Sequence, residues 1–191
     1  MARIRPATTD DATGMAKVKV DAWRSAYAGI VPSAHLESLS CERTAEGWRK
    51  GILASASPDL AAFVAEETDG QVVGIAMCGP AEGSQQTAAG QVYVLYVLPE
   101  FQRRGLGRGL MEACRRHLVG RGIKSLVVWV LKANPYRVFY ETLGGRLADE
   151  KLVEIGGVPL SEVAYEWTEI RRAPWMREDI DLQAPDPARG A

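Results

Sequence analysis

Three arginines, Arg103, Arg104 and Arg108, surround Gly105 and Gly107 where an apolar run, Val-Tyr-Val-Leu-Tyr-Val-Leu at 92–98, gives way to an amphipathic segment. A strand, a glycine turn and a helix start in that order make an anion site. The first N–H groups of a helix have no partner within it, the macrodipole is positive there, and glycine lets the backbone approach closely. The expected occupant is a phosphate or pyrophosphate. The dinucleotide fingerprint G-x-G-x-x-G fails, because Leu110 stands where its third glycine belongs. A P-loop fails as well, since no G-x-x-x-x-G-K-[ST] string is present. What remains is Q-x-x-G-x-G, formed by Gln102, Gly105 and Gly107. A glycine-rich turn with solvated arginines would carry the same string.

The surrounding elements follow from periodicity and punctuation. Arg3 to Thr8 reads as a short strand, and Thr9-Asp10-Asp11 as the start of a helix to about Ala22. Ser33 and Ser40 can each cap a helical piece, the second running to about Ala56. Ala61 to Glu67 and Gln71 to Cys78 form a hairpin through Asp69-Gly70. After the strand at 92–98, Leu106, Leu110, Met111, Cys114 and Leu118 mark the buried face of a helix ending near Gly120. Ser125 to Leu131 is a strand buried on both faces. Asn134-Pro135 starts a helix that Gly144-Gly145 stops. Two strands around Gly156-Gly157 close the chain as a hairpin, and a polar tail bearing Pro174, Pro185 and Pro187 follows.

Composition bounds the answer. The chain has 191 residues, 47% hydrophobic and 25% charged, enough for one core but not two, so one domain is expected over 1–170 with a polar tail over 171–191. The formal net charge of -1 argues against a general nucleic-acid binder, which makes the arginine cluster a local device for a small anion. No apolar run approaches the roughly 20 residues that span a bilayer, and the N-terminus lacks a signal-peptide core, so a cytoplasmic location and no membrane partner are expected. Cys41, Cys78 and Cys114 suit neither a disulfide framework nor a zinc site, and neither histidine has a metal-spaced partner. No metal is expected.

The order of elements, with Q-x-x-G-x-G and a second string about thirty residues on, Asn134-Pro135-Tyr136-Arg137-Val138-Phe139-Tyr140-Glu141-Thr142-Leu143-Gly144-Gly145, resembles the GNAT superfamily of N-acetyltransferases. The resemblance implies an α/β (α+β) fold with a mixed, mostly antiparallel sheet of about seven strands, flanked by about four helices and splayed at the cofactor site. It implies acetyl-CoA as co-substrate, held by the backbone of Leu95, Tyr96, Val97 and Leu98, by Gln102, Arg103, Arg104, Gly105, Leu106, Gly107 and Arg108, and by Asn134 and Phe139. It casts Tyr140 as the general acid that protonates the departing thiolate. On the residues alone, Phe139 and Tyr140 are equally a core pair, and Asn134 a helix cap.

Thioester aminolysis explains why such parts belong together. An alkylammonium, with an ordinary pKa of about 10.4, must lose a proton, the oxyanion needs a donor, and the thiolate needs a proton. No covalent enzyme intermediate is required. The base is unassigned: many relatives carry a glutamate early on the strand before the loop, where this chain has Gln91. Glu66, Glu82, Glu37, His35 and a water chain are the candidates.

The segment from Ala22 to Pro32 is similar to the matching part of PaiA-type polyamine acetyltransferases, which implies a small-molecule amine as acceptor. Trp23 and Tyr27 would wall its pocket, or else pack the first helix on the sheet. Tyr93 and Tyr96, three apart on a strand, should point to opposite faces and not share that pocket. A protein lysine or N-terminal acetyltransferase, and a non-catalytic CoA-binding module, are the alternatives. A homodimer is expected on family grounds, through an apolar edge of Val163, Tyr165 and Trp167.

Overall fold

The computed structural model describes residues 2–81, 88–173 and 175. Strand β1 (Arg3–Pro6) leads through a 3-10 turn (Thr9–Asp11) into α1 (Ala12–Ala26), which runs a turn past Ala22. Asp11 anchors this start: its carboxylate accepts from the Thr8 N–H at 2.7 Å and from Arg5 at 2.7 and 2.8 Å. Helices α2 (Ser33–Ser38) and α3 (Cys41–Lys50) complete the front end. Ser40 caps α3 by accepting from the Arg43 N–H at 3.2 Å, whereas Ser33 is itself the first helical residue, and α3 stops short of Ala56.

Strands β2 (Ala61–Glu66), β3 (Val72–Pro80) and β4 (Gly90–Val97) form an antiparallel meander. Then come α4 (Leu106–Gly120), β5 (Leu126–Leu131), α5 (Val138–Thr142), β6 (Arg146–Ile155) and β7 (Val158–Trp167). Among the described residues the seven strands make one sheet, ordered β1-β2-β3-β4-β5-β7-β6. Among the described residues five α-helices accompany it, in keeping with an expectation of about four. Helices α1 and α3 pack together on one face, and α4 covers β2, β3 and β4 on the other. No helix among the described residues is long and apolar enough to cross a membrane.

The sheet opens in its middle. Parallel pairing of β4 with β5 is confined to Gly90↔Leu126 and Gln91↔Val127. Immediately beyond, Val92 pairs with Cys78 and Val94 with Met77, which leaves Tyr93 as the extra residue of a bulge in β4. A bulge bends its strand and increases its twist. Meanwhile β5 pairs with β7 along its whole length, from Leu126↔Trp167 to Leu131↔Glu162, and departs with it. The two halves therefore diverge from Tyr93 onward.

The expected dimer surface is corrected here. Strand β7 lies between β5 and β6, so Val163, Tyr165 and Trp167 are core residues and not an edge. At this end of the sheet the edge strand is β6, where Leu147 and Leu152 are 64% and 72% exposed.

Candidate active site

The gap between β4 and β5 is a cavity of about 620 Å³. Its backbone wall follows from ladder alternation. The Leu98 N–H donates to the Val73 carbonyl at 3.0 Å, so Tyr96 also faces β3, while the polar groups of Leu95 and Val97 turn toward the opening. Gln102 Nε2 donates to the Val97 carbonyl at 3.1 Å and ties the glycine loop to the strand. The N–H groups of Leu95 and Val97 and the Leu95 carbonyl are left to face the gap. Leu98 is buried in the core, with its N–H already committed.

The loop after β4 turns through left-handed conformations at Arg103 (φ 60°) and Gly105 (φ 83°). The first intrahelical bond of α4 runs from the Gly109 N–H to the Gly105 carbonyl, so Leu106, Gly107 and Arg108 offer three N–H groups at the positive end of the helix. Arg103, Gly105, Gly107 and Arg108 border the cavity. Arg104 does not: its guanidinium donates to the Glu100 carbonyl at 2.8 Å and lies 4.9 Å from the Phe101 ring. The Leu106 side chain turns into the core. A side chain at Gly107 would sit 3.3 Å from Phe139 Cζ, so its absence lets that ring close over the helix start. Open N–H groups, two flanking arginines and a strand edge of amide groups match the pyrophosphate and the amide-bearing arm of CoA in chemistry and in order.

Tyr140 borders the cavity from α5, buried, with its ring edge-on to Phe139 at 5.4 Å and stacked on Tyr165 at 5.7 Å. Tyr165 is fixed in turn, donating to Glu141 at 2.6 Å and accepting from Arg137 at 2.7 Å. Burial, and secondarily the nearby Tyr27, push the Tyr140 hydroxyl well above its ordinary range. Asn134 is not the cap of α5, which starts only at Val138. Its Oδ1 accepts from the Tyr136 N–H at 2.8 Å, and its Nδ2 donates to the Tyr27 hydroxyl at 3.0 Å.

Across the sheet, Trp23 Nε1 donates to the Tyr96 hydroxyl at 2.8 Å and its ring meets Tyr27 edge-on at 4.9 Å. Trp23 thus stands behind the wall, while Tyr27 and Tyr96 form it. Burial first, then the Tyr27 hydroxyl, raise Tyr96, and burial raises Tyr27. Tyr93 and Tyr96 both border the cavity, contrary to simple alternation, because the bulge at Tyr93 breaks the period.

The base candidates among the described residues lie elsewhere. Glu66 accepts from Arg3 and Arg5 at the β1 side of the sheet. Glu37 borders a separate surface groove beside the α1–α2 turn, and the His35 ring is 6.1 Å from Trp23. Glu82 lies outside the described residues. Two residues absent from the sequence reading also belong to the site's surroundings. Trp129 borders the cavity, and the charge of Glu162 reaches Tyr27 and Tyr96. An indole within the aliphatic run Leu-Val-Val-Trp-Val-Leu was the available signal for the first. Glu162 has none, since a lone glutamate in a closing strand is ordinary.

A mixed sheet that parts beside a glycine-opened helix start, with amide groups along one lip, defines a CoA-thioester acyltransferase. Comparison with known proteins agrees. Residues 75–153 match the FR47-like protein family. The uncharacterized N-acetyltransferase YuaI of Bacillus subtilis (strain 168) is 35% identical over 170 residues, covering 89% of this chain and 95% of that one. An N-acetyltransferase from Staphylococcus aureus Mu50 superposes with a TM-score of 0.68 at 17% identity, over 89% of this chain and 99% of that one. The PaiA N-acetyltransferase of Thermoplasma acidophilum, in complex with coenzyme A, superposes with a TM-score of 0.64 at 18% identity, over 87% and 99%. The chain belongs to the GNAT superfamily of N-acetyltransferases, and its acyl donor is acetyl-CoA.

Proposed function

We propose that the protein acetylates a primary amine of a small molecule by direct attack in a ternary complex, with Tyr140 as the general acid. The observation that carries this reading is the continuity of the cavity through the sheet. It joins the start of α4 and Tyr140 on one face to Tyr27 and Tyr96 on the other. The Leu106, Gly107 and Arg108 N–H groups with Arg103 and Arg108 hold the pyrophosphate, and Leu95 and Val97 align the arm that carries the thioester. The Leu95 or Val97 N–H supplies the oxyanion donor. Tyr27, Tyr96 and Asn134 then position the acceptor nitrogen from the opposite face, and Tyr140 gives its proton to the departing sulfur.

Thiol release from acetyl-CoA tests this against small amines and lysine peptides in parallel. Small amines are expected to support turnover and peptides to support little. Tight CoA binding with no turnover on any amine would leave only a binding module. Self-association as a homodimer belongs to the same proposal, now through the exposed β6 edge, and sedimentation equilibrium reads it directly.

A further inference from the structure

Two phenols meet the cavity with protons that no described residue accepts. Trp23 Nε1 donates to the Tyr96 hydroxyl at 2.8 Å, and an indole N–H can only donate. The Asn134 amide is equally fixed. Its Oδ1 takes the Tyr136 N–H at 2.8 Å, so Nδ2 is the atom that faces the Tyr27 hydroxyl, at 3.0 Å. Neither partner can receive the phenol's own proton, and among the described residues no other group accepts from either hydroxyl. Tyr27 is buried, Tyr96 is half-buried, and both border the cavity. Sheltered O–H groups take an acceptor where one is offered, so these two protons belong to whatever fills it.

The reaction narrows what that acceptor is. The attacking nitrogen needs its lone pair for the acyl carbon, and the sulfur is served by Tyr140. The acyl oxygen is the lone-pair atom that every turnover brings, and it is where charge develops. Tyr96 stands between Leu95 and Val97, whose open amides align the thioester arm, and the Tyr27 hydroxyl is close enough to raise both Tyr96 and Tyr140. Burial holds the protons on both phenols, while the N–H from Asn134 or Trp23 pulls the other way and makes each proton a stronger donor. We propose that Tyr27 and Tyr96 donate to the acyl oxygen of acetyl-CoA beside the backbone N–H, with Trp23 and Asn134 as positioning residues that turn those protons toward it. This rests on the direct attack proposed above. As nitrogen bonds to the acyl carbon, the carbonyl pair moves onto oxygen under the two phenols. It returns when the C–S bond breaks, the sulfur leaving with the Tyr140 proton and the surplus proton of the nitrogen passing to water. The Tyr27 and Tyr96 protons are shared and never transferred, and each phenol oxygen keeps a lone pair for an N–H of the amine.

Difference infrared spectroscopy of the full chain saturated with acetyl-CoA, isotopically labelled at the carbonyl carbon, reads these bonds without any amine present. Donation to a carbonyl oxygen lowers its stretching frequency, so Tyr27→Phe and Tyr96→Phe should each shift the band upward. Trp23→Phe leaves the Tyr96 proton unoriented and should shift it by less than Tyr96→Phe does. Asn134→Asp keeps the Tyr136 contact but sets an acceptor against Tyr27, so it should shift the band as far as Tyr27→Phe with the phenol still in place. A merely structural role for Asn134 would not produce that match. A band that stays put in both phenylalanine variants overturns the inference, and is the result expected of phenols that only hold water. If Tyr96→Phe fails to fold, a band unmoved in Tyr27→Phe and Asn134→Asp overturns it instead. Turnover of small amines with an unmoved band defeats this inference alone, whereas the stated shifts with no amine turned over defeat the small-molecule reading and leave the two donors in place.

Discussion

Tyr140 is held by neighbours rather than by a hydrogen-bonded base. Its ring is fixed between Phe139 and Tyr165, and Tyr165 is itself locked by Glu141 and Arg137. A phenol raised by burial keeps its proton throughout the range in which amines deprotonate, so the proton is still in place when the thiolate departs. Tyr140→Phe is expected to lower kcat about 10²-fold while leaving the Kd of CoA near wild type. In the unaltered protein, kcat/KM should climb with pH as the acceptor loses its proton, without a falling limb near a tyrosine's ordinary value of about 10. A limb there that vanishes in the Phe variant would show Tyr140 titrating in its normal range. Tyr140 and Asn134 were legible because one local string contains both. Glu162 and Trp129 were not, since β5 and β7, separated in sequence by α5 and β6, must pair before the two residues share a face. Arg104 illustrates a different loss: three arginines within six residues read alike, and only the turn of the loop shows that Arg103 and Arg108 border the cavity while Arg104 packs on Phe101.

At the level of elements, the helix start of α4 and the ring of Phe139 are one device. Gly107→Ala places a Cβ 3.3 Å from Phe139 Cζ, so the ring must retreat from the helix start. Overpacking of this kind should weaken acetyl-CoA binding by ~1.4 kcal/mol, tenfold in Kd, as read by calorimetric titration. The other end of α4 is fixed differently. Glu112 is buried and accepts from Arg115 at 2.6 and 2.7 Å and from Arg116 at 2.9 Å, while Arg115 also donates to the Ile170 carbonyl at 3.1 Å. Glu112→Gln strands a buried guanidinium, and a loss of about 3 kcal/mol in urea unfolding is expected. The apolar period of α4 gave its span within a residue. The helix at 134–144 shrank to Val138–Thr142 because the Asn134 side chain takes the Tyr136 N–H, a local turn that competes with helix.

Across the whole molecule, the parting of β4 from β5 needs the rest of the sheet to be held firmly. Local patterning shows each strand but not the parting, which arises because β7 claims β5 along its full length. At the outer edge, one charge network does the holding. Arg5 on β1 bridges Asp11, at the entry to α1, and Glu66 on β2, which also accepts from Arg3. Burial raises the Asp11 carboxyl, but the Arg5 and Thr8 hydrogen bonds outweigh it, so the net direction is downward from 3.8. The Arg5 hydrogen bonds lower Glu66 from 4.5. Both carboxyls are thus more acidic folded than unfolded, so their contribution is complete above the ordinary values and is lost as pH falls through the folded ones. Stability should therefore decline on acidification below about pH 4.5. Arg5→Met removes the partner that causes both shifts. It should lower stability at pH 7 and flatten the decline between pH 4.5 and 2, because the largest influence lowering each carboxyl in the folded state would be gone. Urea midpoints across that range for the two proteins give the comparison, and parallel curves would mean that the acid sensitivity arises elsewhere in the molecule.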